Sequence, residues 1–308
     1  MCLSNDTLSA AHEACQRRFV DAGLLIPLGV PGLYGLSGRF EDVIERFERL
    51  VTKRAADQPA EVMRFPAIFS RENYLKTTHI DTFPDLMGSV HSFVGKEKDH
   101  LRMLDKRAAN EDWTVELAPS RVMMTPAACY PLYPTATGTL PAAGRTVDLR
   151  SFVFRHEPSV DPARMQIFRQ REFVRLGTAE QALEHRDNWL QRGQEILLEV
   201  GLKAEPVIAN DPFFGRGGRV MAATQKEQNL KFELVYPIAS AEKPTAITSC
   251  NCHLDHFGHS FEIFTPDGKH AHSACIGFGL ERIALALFTC HGFDPDKWPG
   301  EVKSALEL

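Results

Sequence analysis

Residues 151–177, SFVFRHEPSVDPARMQIFRQREFVRLG, restrict the possible folds more than any other part of this chain. Phe152 and Phe154 alternate with Val153 and Arg155, the period-two pattern of a strand. Pro158, Asp161 and Pro162 break regular structure, and Gln170 to Leu176 resumes an extended pattern around Phe173 and Val174. The stretch therefore predicts an antiparallel hairpin with a long connection, with Arg155 and Glu157 sharing one face. It also carries Arg155, Arg164, Arg169, Arg171 and Arg175. A guanidinium is a permanent cation with a planar fork of donors, so several on one sheet surface suit a polyphosphate. A salt-bridged sheet face is the other reading, and spacing alone leaves both open.

Composition sets the scale. With 308 residues, 44% of them hydrophobic and 24% charged, the chain can bury a large core. We expect one domain over 1–308, with 1–62 as an N-terminal helical segment packed on it. No basic-then-apolar leader opens the sequence and no run nears the roughly 18 apolar residues that span a bilayer. A cytoplasmic protein without a membrane partner is the expectation. A net charge of −5 argues against a broad nucleic-acid surface. The seven cysteines are odd in number, scattered and without a CxxC pair, which predicts free thiols and gives no zinc site from spacing.

Along the chain, Phe40, Val43, Ile44, Phe47, Leu50 and Val51 fall on one helical stripe after Ser37-Gly38. Met63 to Phe69 reads as a short strand, Asp81 to Phe93 as a buried segment, and Trp113 to Met124 as strand, turn, strand. Pro126, Pro131 and Pro134 predict a rigid, non-helical setting for Cys129. Thr178 and Gln181 form a capping box for a helix with a core stripe of Leu183, Leu190 and Leu197, ending near Gly201. Asp211 to Arg219 lacks the lysine and hydroxyl of a phosphate-binding loop and reads as a basic loop at a site entrance. Leu230 to Val235 is a strand carrying Glu233, and Thr245 to Phe264 is extended. Within it His253, Asp255 and His259 offer ligands for a hydrolytic metal, although nothing nearby completes a dinuclear set. His270 to Ile276 is a strand bearing Cys275, followed by Gly277 and Gly279 and a helix with Leu280, Ile283, Ala284, Leu287 and Phe288 on its buried stripe.

Phe154-Arg155-His156-Glu157, a loop, then Arg171-Glu172-Phe173 resembles motif 2 of class II aminoacyl-tRNA synthetases, and Gly277-Phe278-Gly279-Leu280-Glu281-Arg282 resembles their motif 3. Nearly the whole chain is similar to the amino acid:[carrier protein] ligases, truncated homologues of the zinc-containing seryl-tRNA synthetases of methanogens. The resemblance implies an α/β (α+β) catalytic domain, a mostly antiparallel sheet flanked by helices, paired as a homodimer through a motif 1 near residues 81–93. It implies zinc held by Cys129, Glu172 and Cys275, with an open position for the substrate amine. It further implies that Arg155 holds the α-phosphate of ATP, Arg282 the outer phosphates, Glu157 the adenine amino group and Phe173 the adenine face. Magnesium accompanies the ATP, and Glu233 is a candidate for the magnesium or ATP neighbourhood; the family's other magnesium-side carboxylate has no counterpart in Thr245 to Ser249, which contains no acid. Strand alternation sets Glu172 and Phe173 on opposite faces, so a twist, bulge or offset between subsites is expected; failing that, Glu172 is the ligand to give up.

The implied reaction activates a small amino acid, glycine or alanine, as its adenylate and passes it to the phosphopantetheine thiol of a carrier protein. Transfer to tRNA is not expected, because no coiled coil or helical appendage precedes residue 63 or follows residue 290. A seryl-type synthetase core and a metal-dependent hydrolase built on His253, Asp255 and His259 are the alternatives. A non-enzymatic regulator is expected to have lost Arg155, Arg282 or a metal ligand, and all are present.

Overall fold

The hairpin predicted over 151–177 lies inside a seven-stranded sheet. In the computed structural model, which describes residues 5–211, 213–214, 225–226 and 228–308, the strands are β1 (Glu61–Arg64), β2 (Arg145–Phe154), β3 (Ile167–Gly177), β4 (Glu205–Ile208), β5 (Lys231–Tyr236), β6 (Thr245–Leu254) and β7 (His272–Gly279). Their order is β4-β5-β6-β7-β3-β2-β1, and every neighbouring pair is antiparallel except β1 with β2. The principal helices are α1 (Asn5–Asp21), α2 (Gly38–Arg54), α3 (Ala179–Glu199) and α4 (Leu280–His291). A mostly antiparallel sheet flanked by helices is thus the observed architecture. Among the described residues no helix is long and apolar enough to cross a membrane.

Local chemistry accounts for the helices. The Ser37 side chain accepts from the Phe40 N–H to start α2, and all six stripe residues of that helix are buried. Phe47 meets Phe278 of β7 edge-on at 6.0 Å, and Phe40 stacks with Phe288 of α4 at 5.7 Å. The capping box of Thr178 and Gln181 opens α3 as predicted. Of the predicted stripe Leu197 is buried, but Leu183 is 40% exposed and Leu190 only partly buried, and Trp189 and Ile196 complete the buried face. Trp189 stacks on Phe173 at 4.2 Å, and one turn further on Gly193 lets the helix close on the sheet, because a Cβ there would stand 2.9 Å from Ile276 Cδ1.

The ladders on both sides of β3 run without a register shift. Alternation therefore holds along the strand. Arg169, Arg171, Phe173 and Arg175 face the helices, whereas Phe168, Gln170 and Glu172 face the opposite side. The three arginines are structural. Arg171 grips both carboxylate oxygens of buried Asp148 at 3.1 and 2.7 Å and donates to the Glu48 carbonyl at 2.6 Å. Arg169 joins Glu281 to Glu41, and Arg175 reaches Thr146 Oγ1 at 2.8 Å. For Arg169 and Arg171 the salt-bridged reading is the correct one, whereas Arg175 bonds a hydroxyl and the Ala143 carbonyl.

Four other expectations are corrected. Met63 to Phe69 is divided at Pro66 into β1 and a separate strand, Ile68–Ser70. Trp113–Glu116 is a 3₁₀ helix ahead of the strand Ala118–Met124. Between Asp81 and Phe93 only Leu86 is buried, so this is not a core segment. Cys129 precedes a 3₁₀ helix, Tyr130–Ala136, whose i to i+3 pattern accommodates Pro131 and Pro134.

Because Phe173 fills the space between β3 and Trp189, Phe173→Ala should cost about 3–5 kcal/mol of stability. Chemical denaturation should show a lowered midpoint, and an unchanged midpoint would contradict this packing.

Candidate active site

The face of the sheet opposite the helices floors a cavity of about 750 Å³. Register builds the floor from two cross-strand rows. Glu233, Ser249, Gly277 and Glu172 lie side by side across β5, β6, β7 and β3, and Lys231, Asn251 and Cys275 form the next row. Residues 77–86, 126–130 and 155–164 contribute the walls.

One end is cationic. Arg155 continues the hairpin beyond the end of β2: its N–H bonds the Gln166 carbonyl at 2.9 Å and its Nε donates to the Pro126 carbonyl at 3.1 Å. Arg282, in the first turn of α4, donates from Nε to the Ala163 carbonyl at 2.8 Å and from Nη1 to the Ala246 carbonyl at 2.9 Å. Among the described residues neither guanidinium closes an ion pair; their direct partners are carbonyls, with the carboxylates of Glu157 and Asp161 acting on Arg282 from further off. Burial, reinforced by the charges of Arg155 and Arg164, pushes Arg282 down to about 10, so it remains cationic at neutral pH while its surroundings favour an anion. Between them lies Phe168, its ring centroid 5.5 Å from the Arg155 guanidinium carbon and 5.8 Å from that of Arg282. Glu157 accepts from Arg164 at 2.7 Å, and Glu233 lies 3.2 Å from Lys231, which also pairs with Asp211.

Phe173 is absent from this cavity. Its place against Trp189 corrects the expectation that it stacks on adenine, and no bulge brings it round. With Phe173 on the helix side, the conflict that set it against Glu172 does not arise. Phe168 is the aromatic that shares the face of Glu172 and lies beside both cavity arginines. Sequence reasoning missed it by matching Phe173 through its neighbour, although the parity of 168 and 172 carried the signal.

At the other end, Cys129, Glu172 and Cys275 are brought together from the loop before a 3₁₀ helix, from β3 and from β7. All three are buried. The Cys129 thiol contacts both Cys275 and Glu172, and is pushed up first by its hydrogen bond to Cys275, then by burial. Burial, followed by the Cys275 charge, raises Glu172; the Cys129 hydrogen bond pulls Cys275 down. Asn251 Nδ2 and His253 Nε2 also approach Cys275 Sγ, at 3.5 and 3.7 Å. As placed, no three His, Cys, Asp or Glu side chains among the described residues are already grouped to hold a metal ion. Instead Glu172 Oε2 is left buried without a hydrogen-bond partner among the described residues. An orphaned carboxylate oxygen beside two thiols is a donor set whose charges need a cation.

The rival cluster is dispersed. β6 ends at Leu254 with a register shift and a positive φ of 52°, and His256–Phe261 is helical, which corrects the extended reading of this region. His253 lines the cavity and contacts Ser273 Oγ at 3.0 Å, whereas Asp255 and His259 pair with each other at 3.1 Å on the exposed surface. Of the expected basic loop, Asp211 lines the cavity and Gly215 to Arg219 lie outside the described residues.

No family model matches the chain. It is 42% identical over 283 residues to amino acid–[acyl-carrier-protein] ligase 2 of Bradyrhizobium diazoefficiens, covering 91% of this chain and 84% of that protein. Ligase 1 of the same organism is 39% identical, covering 91% and 86%. The type-2 serine–tRNA ligase of Methanopyrus kandleri is 25% identical over 60% of this chain and only 38% of its own length. Among solved structures, the M. kandleri SerRS in complex with A. aeolicus tRNASec superposes with a TM-score of 0.78 at 19% identity, covering 96% of this chain and 60% of that one. Seryl-tRNA synthetase from Pyrococcus horikoshii complexed with ATP gives 0.70 at 14% identity, over 96% and 62%. These structural likenesses show the class II synthetase catalytic fold, of which this chain spans less than two thirds of each matched chain. With about 40% identity to two relatives across nine-tenths of its length, the chain belongs to the amino acid–[acyl-carrier-protein] ligase family.

Proposed function

We propose that the protein activates a small amino acid with ATP and transfers it to the phosphopantetheine thiol of a carrier protein. The observation that carries this reading is the two-ended cavity: half-buried Arg155 and Arg282, held by backbone carbonyls, flanking Phe168 at one end, and Cys129, Glu172 and Cys275 at the other. The first end suits a nucleotide, with Phe168 taking the ring-stacking place that sequence gave to Phe173. Arg155 is placed for the α-phosphate, Arg282 for the outer phosphates and Glu157 for the adenine amino group. ATP arrives with magnesium, and Glu233 is the carboxylate proposed to stand near it. The second end suits zinc, held by Cys129, Glu172 and Cys275, which when bound supplies a Lewis-acid position for the substrate amine. Pairing as a homodimer belongs to the same proposal.

The chain's own groups have limited proton chemistry to perform. A carboxylate oxygen attacks the α-phosphorus and pyrophosphate leaves, so the main requirement is fixed positive charge where negative charge accumulates. Arg155 and Arg282 are held by backbone carbonyls and meet that need without reorganising. The relatives' names carry the second step: both are acyl-carrier-protein ligases.

Arg155→Ala and Arg282→Ala should each reduce amino-acid-dependent ATP–pyrophosphate exchange by about 10²–10³-fold while leaving the unfolding midpoint near the wild-type value. Near-normal exchange by either variant would remove the phosphate assignment. For the metal, elemental analysis should find one zinc per chain, lost in Cys129→Ala and Cys275→Ala. Zinc retained in both variants, or absent from the wild type, would overturn that part.

Glycine or alanine should be preferred, with cross-reactivity, since a single methyl group is worth only about 1–3 kcal/mol of discrimination. Labelled amino acid, ATP, total tRNA and holo-carrier protein offered together should place label on the carrier protein. Label on tRNA, or serine outcompeting both amino acids, would return the reading to a seryl-type synthetase.

A further inference from the structure

Phe168, Gln170 and Glu172 occupy alternate positions on the cavity face of β3, each about 7 Å along the strand from the next. The outer two mark the nucleotide end and the metal end. Gln170 falls between them, at the level where a substrate carboxyl group must meet the α-phosphate. Its neighbour across the ladder on β7 is Gly279, which has no side chain to cover it.

The orientation of this amide is fixed by the protein. The Ala128 N–H donates to Gln170 Oε1 at 3.1 Å. A backbone N–H can only donate, so the amide oxygen must face the loop and the NH₂ group must point away from it. Among the described residues the Gln170 nitrogen has no hydrogen-bond partner, and the half-buried side chain lines the cavity. A donor aimed, held and unused at the centre of a reaction cavity is the arrangement that stabilises developing charge.

We propose that Gln170 is a catalytic residue whose side-chain amide donates to the substrate carboxyl oxygen that becomes the adenylate carbonyl. The proposal rests on the amino-acid-activation reading above. In activation, one carboxylate oxygen forms the new bond to the α-phosphorus while the α–β phosphoanhydride bond breaks and pyrophosphate leaves with the electron pair. Gln170 holds the other oxygen and so aims the attacking one. In transfer, the thiol proton is lost to water, the sulfur bonds the carbonyl carbon and AMP departs with the C–O electron pair. Negative charge builds on the oxygen that Gln170 already holds.

Gln170→Glu separates this role from a structural one. The variant keeps an acceptor for the Ala128 N–H, and hence the loop that carries Cys129, but puts a charged oxygen where the donor was. We expect pyrophosphate exchange to fall by about 10²–10³-fold, with unfolding midpoint and metal content as in the wild type. Exchange within about threefold of wild type would make Gln170 a strut for the loop and overturn the proposal.

A binding experiment is independent of turnover. Wild-type protein should bind glycyl-sulfamoyl-adenosine at least about tenfold more tightly than the analogue with CH₂ in place of the carbonyl, and Gln170→Leu should lose that preference. An equal preference in both proteins would also overturn the proposal. If the wild type exchanges pyrophosphate with no amino acid, the activation reading fails by itself, and the analogue pair still decides whether Gln170 contacts that oxygen.

Discussion

The uninterrupted ladder of β3 is the constraint on which the rest depends. Hydrogen-bonded without a register shift to β7 on one side and β2 on the other, the strand must send successive side chains to opposite faces. One face becomes the floor of the cavity and the other is pressed against helices. A slip of one residue would place Arg169 and Arg171 in the cavity and bury Phe168 and Glu172 against α3. The ordering of cavity residues along this strand, aromatic, amide, carboxylate, is therefore a consequence of register.

The helix-facing arginines help hold that register. Arg171 spans from β3 to Asp148 on β2 and to α2, and Arg169 joins Glu41 of α2 to Glu281 of α4. Glu281 Oε2 also accepts the Arg169 backbone N–H at 2.7 Å, just beyond the point where β7 stops pairing. The carboxylate thus satisfies a donor that the ladder leaves open, and it ties down the first turn of the helix whose next residue is Arg282. Buried ion pairs of this kind add little net stability but are costly to break from one side. Their contribution is to fix one arrangement of strand and helix.

The cavity follows the opposite rule. Its charges are left partly uncompensated: two guanidinium groups rest on carbonyls, and a carboxylate oxygen beside two thiols has no partner. Groups buried in that condition are unfavourable unless something else completes them. A nucleotide at one end and a cation at the other are complements of the right sign, and a small molecule spanning both would lie across Gln170.

The sequence by itself determined a good deal. The apolar stripe of α2, the capping box of α3, the hairpin over 151–177 and the pairing of Arg155 with Arg282 were all legible, because each depends on short-range periodicity, a local hydrogen bond or an ordered pair of motifs. So was the candidate trio Cys129, Glu172 and Cys275, through family resemblance alone, since residues 43 and 103 positions apart share no spacing rule. Only the tertiary structure decided which side of the sheet each arginine serves and which phenylalanine faces the cavity. Alternation states that Phe168 and Phe173 face opposite ways; it does not state which face is covered by helices, for that depends on where α3 packs Trp189. The His253, Asp255 and His259 cluster dissolved for a similar reason. Their sequence proximity meant nothing once a bulge and a left-handed residue at Leu254 turned the chain from strand to helix between the first and the second.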